Sequence, residues 1–417
     1  MTPLLAAAAL AAIVQSGQLP HGGTYAIHAD PASPTAAVDL WFRAPDSGYD
    51  SSVPGLARVA ATAAAAAKLE SGRSLAEIVA QSGGRLSIEV FPDIVGIDVV
   101  VPPADARVIV ASVTAAYFAP SLDDAALTTA KTDAAVFAVQ QQYETGALEQ
   151  ALLFTELFAS GPAHEPPIPL SPPDVAQITL TQAADFAKRA FRASNAFLSL
   201  AGAVDESDLS VVTNGDDAAA PDEPFTSTLA ASPQPIARAG AVAGIGIAWA
   251  GPPIADERAA TALDFIGDYL FRQQTGTVAR ELEREGDVAI GGQFITLHDP
   301  GVMIVTLQGS DDAAMQTRVL SAISAMEQPL PTATFDAALQ AFLYHLAEQT
   351  QTAQEVAGDI GWYSAEGAPA YAPSGREYER VARSLDPQFV ASIARRYLSA
   401  TPAIVHITAT HATGGAS

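Results

Sequence analysis

The chain has 417 residues, which is enough for about two or three domains. Its apolar fraction of 49% and charged fraction of 16% indicate a folded globular protein. The absence of cysteine excludes disulfides, thiolate metal sites and cysteine nucleophiles. A net charge of −25 argues against nucleic acid and anionic membrane surfaces as partners. The acidic residues indicate either a solvated surface or the wall of a cavity that attracts basic peptides.

Residues 1–20 are predicted to be an export signal. The stretch from Pro3 to Val14 is apolar but shorter than the ~20 residues that cross a bilayer, and small residues follow it. It lacks a basic start, so a packed or disordered tail is the alternative. An exported protein would be periplasmic or secreted, and a protein without the signal would be cytoplasmic. No other apolar run has transmembrane length, so we expect no membrane span.

Residues 21–205 are predicted to form a first domain of mixed helices and strands. Short runs rich in β-forming residues indicate strands, and apolar residues at helical spacing indicate helices. In chain order the elements are a strand at 36–43, helices at 55–70 and 74–82, strands at 85–91 and 94–101, helices at 104–117, 121–142 and 146–158, a helix from an N-cap at Thr181 to Phe191, and a strand at 195–205.

Residues 206–238 are rich in Asp, Pro, Ser and Ala, which predicts a linker. A second domain follows at 239–412. Its expected elements are a strand at 240–250, helices at 255–272 and 276–285, strands at 288–297 and 301–308, helices at 311–326, 333–350, 352–363 and 387–398, and a strand at 403–409. The same order of elements occurs twice. This duplication predicts an α+β protein with two similar domains, each a mostly antiparallel sheet with helices packed mainly on one face.

Four stretches give the chain a resemblance to a known protein family. They are the strand, loop and helix start at 38–58, the helix, double glycine and hairpin at 75–102, the segment at 158–205, and ARELEREG at 279–286. Their order and spacing resemble the insulinase/pitrilysin-type metallopeptidases, in the mitochondrial-processing-peptidase branch. The resemblance covers nearly all of the chain after residue 20 and implies a duplicated half-clamshell fold.

That family's chemistry depends on an inverted zinc motif, H-x-x-E-H. Two His at i and i+4 share a helix face and bind zinc, while the Glu activates the zinc-bound water. The resemblance places Arg58, Ala61 and Thr62 at these positions, and the third-ligand region, 131–142, contains no Glu. A guanidinium ~4 Å from a dication would oppose binding by about 8 kcal/mol at an effective dielectric of ~20. We therefore expect no catalytic residue, no metal and no cofactor here, with zinc only in a partner subunit.

The resemblance also implies two kinds of peptide contact. Family members hold substrate with an Arg and a Tyr seven residues apart in the second domain, where this chain has Leu282 and Ala289. Arg280 and Arg284 lie nearby and are the candidate substitutes. Family substrates also add as a strand to the edge after the double glycine, which here centres on Ser87, Ile88 and Glu89. An ordinary edge strand is the alternative.

The remaining candidate residues favour structural roles. His345, Glu348 and Gln349 mimic the zinc spacing, but Gln is a poor zinc ligand, so helix packing is the preferred interpretation. His164 and His406 are interpreted as packed residues and His411 as a solvated one. The chain has no G-x-S-x-G nucleophile motif, no phosphate loop and no dinucleotide spacing.

The leading hypothesis is a catalytically inactive, non-zinc-binding subunit of an insulinase-type peptidase. It would pair with a homologous active subunit to enclose a chamber for peptides. The first alternative is a non-enzymatic structural or assembly protein with a processing-peptidase-like fold. A stand-alone peptide-binding module is the second. The sequence leaves the substrate and the identity of the partner open.

Overall fold

The computed structural model describes residues 14–44, 53–164, 170–215, 226–285, 288–368 and 376–410. The predicted export signal therefore lies largely outside the described residues. Of its 20 positions, Val14–Gln18 form a strand that pairs antiparallel with Thr24–Ala29. In the described ranges, no helix combines the length and apolarity that crossing a bilayer requires.

The first half of the chain alternates strands and helices largely as the sequence predicts. Its strands are β1 (Val14–Gln18), β2 (Thr24–Ala29), β3 (Ala36–Arg43), β4 (Arg85–Val90), β5 (Ile94–Val101), β6 (Phe158–Ser160) and β7 (Ala196–Gly202). Its helices are α1 (Leu56–Ala66), α2 (Leu75–Gln81), α3 (Ala106–Phe118), α4 (Asp124–Tyr143), α5 (Thr145–Leu157), α6 (Pro172–Gln177) and α7 (Leu180–Ala190).

The second half repeats this order. Its strands are β8 (Thr228–Leu229), β9 (Ile236–Gly240), β10 (Gly244–Ala250), β11 (Ala289–Ile295), β12 (Val302–Gln308) and β13 (Ala403–Ala409). Its helices are α8 (Glu257–Phe271), α9 (Thr277–Glu285), α10 (Ala313–Ala325), α11 (Thr332–Glu348), α12 (Ala353–Glu366), α13 (Arg376–Arg383) and α14 (Pro387–Ile393), which continues as a short π-helix over Ala394–Leu398.

Each half is built on one mostly antiparallel sheet. The first has the order β1-β2-β7-β3-β5-β4, and the second has the order β11-β12-β10-β13-β9. Only the β2–β7 and β9–β13 pairs within these two described sheets are parallel. The predicted α+β class with two duplicated, mostly antiparallel halves is confirmed.

The two halves exchange a helix across their interface. One face of the first sheet packs against α1 and α3 of its own half, and α12 of the second half covers the opposite face at β3, β5 and β7. Helix α5 of the first half does the reverse, because it packs on β10, β12 and β13 of the second sheet. Helices mainly on one face of each sheet were predicted, and this holds for the helices that pack on the sheet of their own half. The opposite face of each sheet is covered by the helix from the other half, α12 or α5.

Several local details differ from the sequence-based expectations. The first helix ends at Ala66, because Ala67 adopts an extended conformation. The N-cap of α7 is Thr179 rather than Thr181, since the Gln182 amide donates to the Thr179 hydroxyl at 3.3 Å. Helix α13 lies between the predicted helices at 352–363 and 387–398, in a segment for which no helix was expected. The predicted linker, 206–238, contains a 3-10 turn at Glu206–Val211, β8 and the start of β9.

Candidate functional site

Helix α1 carries the three positions where the resemblance expects a zinc motif. Seven of its eleven residues are alanines, the best helix former, and most of them are buried against α3, α4 and α7. Small side chains let these neighbours approach closely, so α1 lies deep in the first half. Gly55, with a left-handed φ of 80°, turns the chain into the helix directly before Leu56.

Arg58, at the first of these positions, makes a cation–π contact and a hydrogen bond to two other elements. The Arg58 guanidinium carbon lies 3.6 Å from the centre of the Phe137 ring on α4. Arg58 also donates from Nη1 to the Ile88 carbonyl of β4 at 3.1 Å. Ala61 is fully buried, and its carbonyl accepts a hydrogen bond from the Tyr117 hydroxyl at 2.9 Å.

These groups do not fit a zinc ion. Zinc requires His, Cys, Asp or Glu ligands, and Arg58, Ala61, half-buried Thr62 and Phe137 provide none. Across the described part of the chain, no group of three such side chains is arranged to hold a metal ion. His345, whose spacing mimics the motif, instead lies 2.9 Å from the Asp268 carboxylate. His164 contacts the Phe158 carbonyl at 2.7 Å through Nδ1, and His411 lies outside the described residues.

Strand β4 is the edge of the first sheet, as the peptide-binding prediction requires. Phe91 donates its amide to Ile94 of β5, so the antiparallel alternation turns the backbone groups of Ile88 away from β5. The outward carbonyl of Ile88 is the acceptor that Arg58 uses. Arg58 therefore covers one of the groups that an added peptide strand would need.

The three predicted edge residues point to opposite faces. Ile88 packs towards the core beside α1, whereas Ser87 and Glu89 belong to the face that α12 covers. Arg280 and Arg284 are exposed on α9, which packs on α8 and β11 of the second half. The cavity that Glu89 lines includes neither arginine among its described residues. The structure thus does not join the two predicted groups in one site.

A cavity of about 530 Å³ lies between the two halves, on the face of the first sheet opposite α1. Residues of β3, β4 and β5 form one wall, and residues of α5, β11 and α12 form the other. The cavity lining includes the acidic side chains of Asp39, Glu89 and Asp98. It also includes the aromatic side chains of Trp41, Phe91 and Trp362.

Three carboxyl groups in this cavity, those of Asp39, Glu89 and Asp98, have raised pKa values. Burial raises the pKa of Asp98 to about 7, and the charge of Glu89 adds to this shift while Arg85 opposes it. Burial, and then the neighbouring Asp98, raise the pKa of Asp39 well above its ordinary range. Desolvation also raises the pKa of Glu89, against the opposing charges of Arg58 and Arg85.

A second polar cluster fixes the C-terminal end of α12 to the first half. Arg43 of β3 donates from Nε to the Ala365 carbonyl at 2.7 Å, and His298 Nδ1 lies 2.8 Å from the Glu366 carbonyl. Burial raises the pKa of Asp93 to about 6, although a hydrogen bond with Glu366 opposes the shift. Burial raises the pKa of Glu366 further, so Glu366 carries the proton of this pair.

Sequence reasoning missed the cavity because its walls come from distant segments. One signal was present, since Asp39 and Asp98 each stand inside an otherwise apolar strand, AAVDLWFR and IVGIDVVV. A lone acidic residue in such a run has to be explained by a partner or a site. Only the strand register shows that the two aspartates are directly opposed.

The structure is similar to several solved structures over at least 95% of the chain. A protease from Helicobacter pylori matches with a TM-score of 0.80 at 15% identity, covering 96% of this chain and 100% of that one. The peptidase M16 inactive domain from Pseudomonas fluorescens matches with a TM-score of 0.77 at 16% identity, covering 95% and 98%. A chain of complex III from Candida albicans matches with a TM-score of 0.77 at 15% identity, covering 95% and 96%.

No family model matches the sequence, and neither does any curated protein. The structural likeness therefore defines the fold, which is that of the M16-like peptidases. This is the fold that the sequence resemblance implied.

Proposed function

We propose that this chain is a catalytically inactive, peptidase-fold subunit that binds no zinc at α1 and pairs with a homologous active subunit. The contact of Arg58 with Phe137 and Ile88 carries this proposal. A guanidinium held by contacts to α4 and β4 repels a dication, and the three motif positions on α1 supply no zinc ligand. The similarity to an M16 inactive domain supports the same conclusion.

The chain would contribute a wall of a peptide chamber rather than the catalytic groups. In this proposal the active subunit supplies the H-x-x-E-H motif and the chemistry. The contribution of β4 to peptide binding is reduced, because Arg58 has to leave the Ile88 carbonyl before a peptide strand can pair there. Arg280 and Arg284 remain candidate contacts for the peptide or the partner, because both are exposed on α9.

The test uses the purified chain, the active homologue and an equimolar mixture of the two. We expect metal analysis to find substoichiometric zinc in this chain alone, and we expect cleavage of unstructured peptides only when the homologue is present. Cleavage should increase when this chain is added. Stoichiometric zinc with cleavage by the chain alone, or failure of the two chains to associate, would contradict the proposal.

A variant with Arg58→His and Thr62→His tests the reason for inactivity. Two His at i and i+4 restore part of the donor set, but Ala61 stays at the position of the catalytic Glu, and α4 provides no Glu as third ligand. We expect weak zinc binding and no peptide cleavage from this variant alone. Robust cleavage would show that the missing α4 ligand is not what prevents catalysis.

The similarity to a complex III chain favours a second candidate function, which is a structural or assembly role without peptides. Affinity purification from the native source distinguishes the two roles. A peptidase homologue as the main co-purifying protein supports the leading proposal, whereas a larger non-peptidase assembly supports the alternative. We also propose that the chain is exported, which N-terminal sequencing of the mature protein would test.

A further inference from the structure

A row of polar side chains crosses four strands of the first sheet beneath α12. The register aligns Ser199 of β7 with Asp39 of β3, Asp39 with Asp98 of β5, and Asp98 with Ser87 of β4. Directly opposed residues in neighbouring strands have Cβ atoms about 5 Å apart. The carboxyl groups of Asp39 and Asp98 are therefore adjacent, and both line the cavity between the halves.

These two carboxyl groups are buried without sufficient hydrogen-bond partners. Asp39 is 0% exposed and Asp98 is 7% exposed. Oδ2 of Asp39 and Oδ1 of Asp98 have no hydrogen-bond partner, and the one contact to Oδ1 of Asp39 is from the Val99 amide at 3.4 Å. Two adjacent buried acids without a cation destabilise a fold unless they are protonated or neutralised. Among the described residues that line this cavity, none is Lys, Arg or His.

Aromatic rings form the wall next to the two acids. The ring of Trp41 lies 6.1 Å from those of Phe91 and Trp362, and the Phe91 and Trp362 rings lie 4.3 Å apart. Trp362 is held in place because its indole N–H donates to the Thr296 carbonyl at 3.1 Å. Aromatic faces attract cations within about 6 Å, above all when the site is shielded from water.

Two glycines make room for Trp41. A Cβ on Gly96 of β5 would lie 2.8 Å from the Trp41 ring, and a Cβ on Gly361 of α12 would lie 2.1 Å from its Nε1. Trp41 is therefore inserted between the sheet and α12. The wall of the cavity is preformed by the packing of the two halves.

We propose that this cavity binds an organic cation, an ammonium or guanidinium group, between the carboxylates of Asp39 and Asp98 and the rings of Trp41, Phe91 and Trp362. The unpartnered carboxylate oxygens accept its N–H groups, and the rings contact its charge and its alkyl stem. A divalent metal fits less well, because no third metal ligand joins the two acids among the described residues. The cation is either a free amine or the side chain of a Lys or Arg.

Binding at this site is expected to release protons below neutral pH. Burial raises the pKa of Asp98 to about 7 and that of Asp39 well above its ordinary range, and an adjacent cation would lower both. Other acidic groups line the same space, namely Glu89 of β4 and Glu355 and Asp359 of α12. Arg85 of β4 does not line the cavity, but its charge lowers the pKa of Asp98. Affinity should therefore rise as the pH increases from 5 to 8. The site lies within one chain, so it does not depend on the proposed pairing with an active subunit.

Isothermal titration calorimetry of the full chain with matched probes tests the proposal. The free cations are n-butylammonium and methylguanidinium, and the side-chain sources are acetyl-Gly-Lys-Gly-amide and acetyl-Gly-Arg-Gly-amide. The neutral controls are n-butanol and acetyl-Gly-norleucine-Gly-amide. We expect saturable binding of at least one cation and none of its neutral control. Binding of the free cations without the peptides, or the reverse, identifies the source.

Two substitutions and one matched control assign the binding to the two acids. Asp39→Asn and Asp98→Asn keep the shape of each side chain and should each reduce affinity at least tenfold. Asp311→Asn, at an exposed position, should leave affinity unchanged. In buffers of different ionisation enthalpy, the wild type should release protons on binding at pH 6, and Asp98→Asn should release fewer.

The wild-type measurements remain decisive if a variant does not fold. Two of the three tryptophans, Trp41 and Trp362, line the cavity, so a bound cation should change the intrinsic fluorescence. The absence of saturable cation binding by both methods would overturn the proposal. Equal binding of the neutral analogues, or unchanged affinity in both folded Asn variants, would overturn it as well.

Discussion

Glu149 provides a direct test of how buried carboxyl groups limit the stability of this fold. It lies on α5, fully buried against β10, and neither of its carboxylate oxygens has a hydrogen-bond partner. A Cβ on Gly244 would lie 2.1 Å from Oε1, so only glycine leaves space for the carboxyl group at that point of β10. Burial raises the pKa of Glu149 from 4.5 to about 8.

The raised pKa fixes the sign of the pH dependence. Between pH 4.5 and 8 the folded protein keeps a proton on Glu149 that the unfolded chain has lost. The free energy of unfolding therefore falls as the pH rises through this window, by about 1.4 kcal/mol for each pH unit at most. The contribution of Glu149 should decrease by about 2 to 3 kcal/mol between pH 5 and pH 7.

The measurement is urea unfolding of the wild type and of Glu149→Gln from pH 5 to pH 8.5. The Gln side chain has nearly the same shape and does not titrate, so the variant should gain about 2 to 4 kcal/mol relative to the wild type over this range. Glu70→Gln, at an exposed position, is the control and should show no such change. A stability difference between variant and wild type that stays constant with pH would refute the reasoning.

Two further perturbations test the packing around the candidate sites. Gly361→Ala places a methyl group against Trp41 and should lower the free energy of unfolding by about 1 to 3 kcal/mol, whereas Gly358→Ala on the same helix meets only ordinary contacts and should be neutral or stabilising. Equal losses of stability in the Gly361→Ala and Gly358→Ala variants would show that Trp41 does not require the space beside Gly361. Arg58→Ala removes a ring contact and a backbone hydrogen bond and should destabilise the fold by about 1 to 3 kcal/mol in the same assay. Arg85→Ala, at the exposed start of β4, is the control, and an equal loss from it would contradict the role given to Arg58.

The Arg58 variant also bears on peptide binding. Removing the guanidinium uncovers the outward carbonyl of Ile88, so an extended peptide should bind β4 more tightly in the variant than in the wild type. Fluorescence polarisation with a labelled unstructured peptide measures this difference. Weaker binding in Arg58→Ala would show that Arg58 holds peptides rather than excluding them.

The sequence alone was sufficient for most of the secondary structure, because local rules decide it. The largely apolar strand at 36–43 and the closing strand at 403–409 have the predicted bounds. The duplicated order of elements was sufficient to predict the two-fold organisation. Local rules failed where competing signals overlapped, as at α13. Pro369 and Pro373 precede this helix in the sequence and indicate a loop, but Arg383 and Glu379 pair one turn apart within it.

The sequence also predicted the helix α1, and the family resemblance placed Arg58, Ala61 and Thr62 at three motif positions along it. Only the tertiary structure showed that Arg58 reaches across to Phe137 and Ile88, which lie 79 and 30 residues away along the chain. The same holds for the cavity between the halves. The exchange of α5 and α12 creates it, and the pairing of β3 with β5 brings Asp39 and Asp98 together. Contacts between distant segments depend on register and packing, which composition and periodicity do not encode.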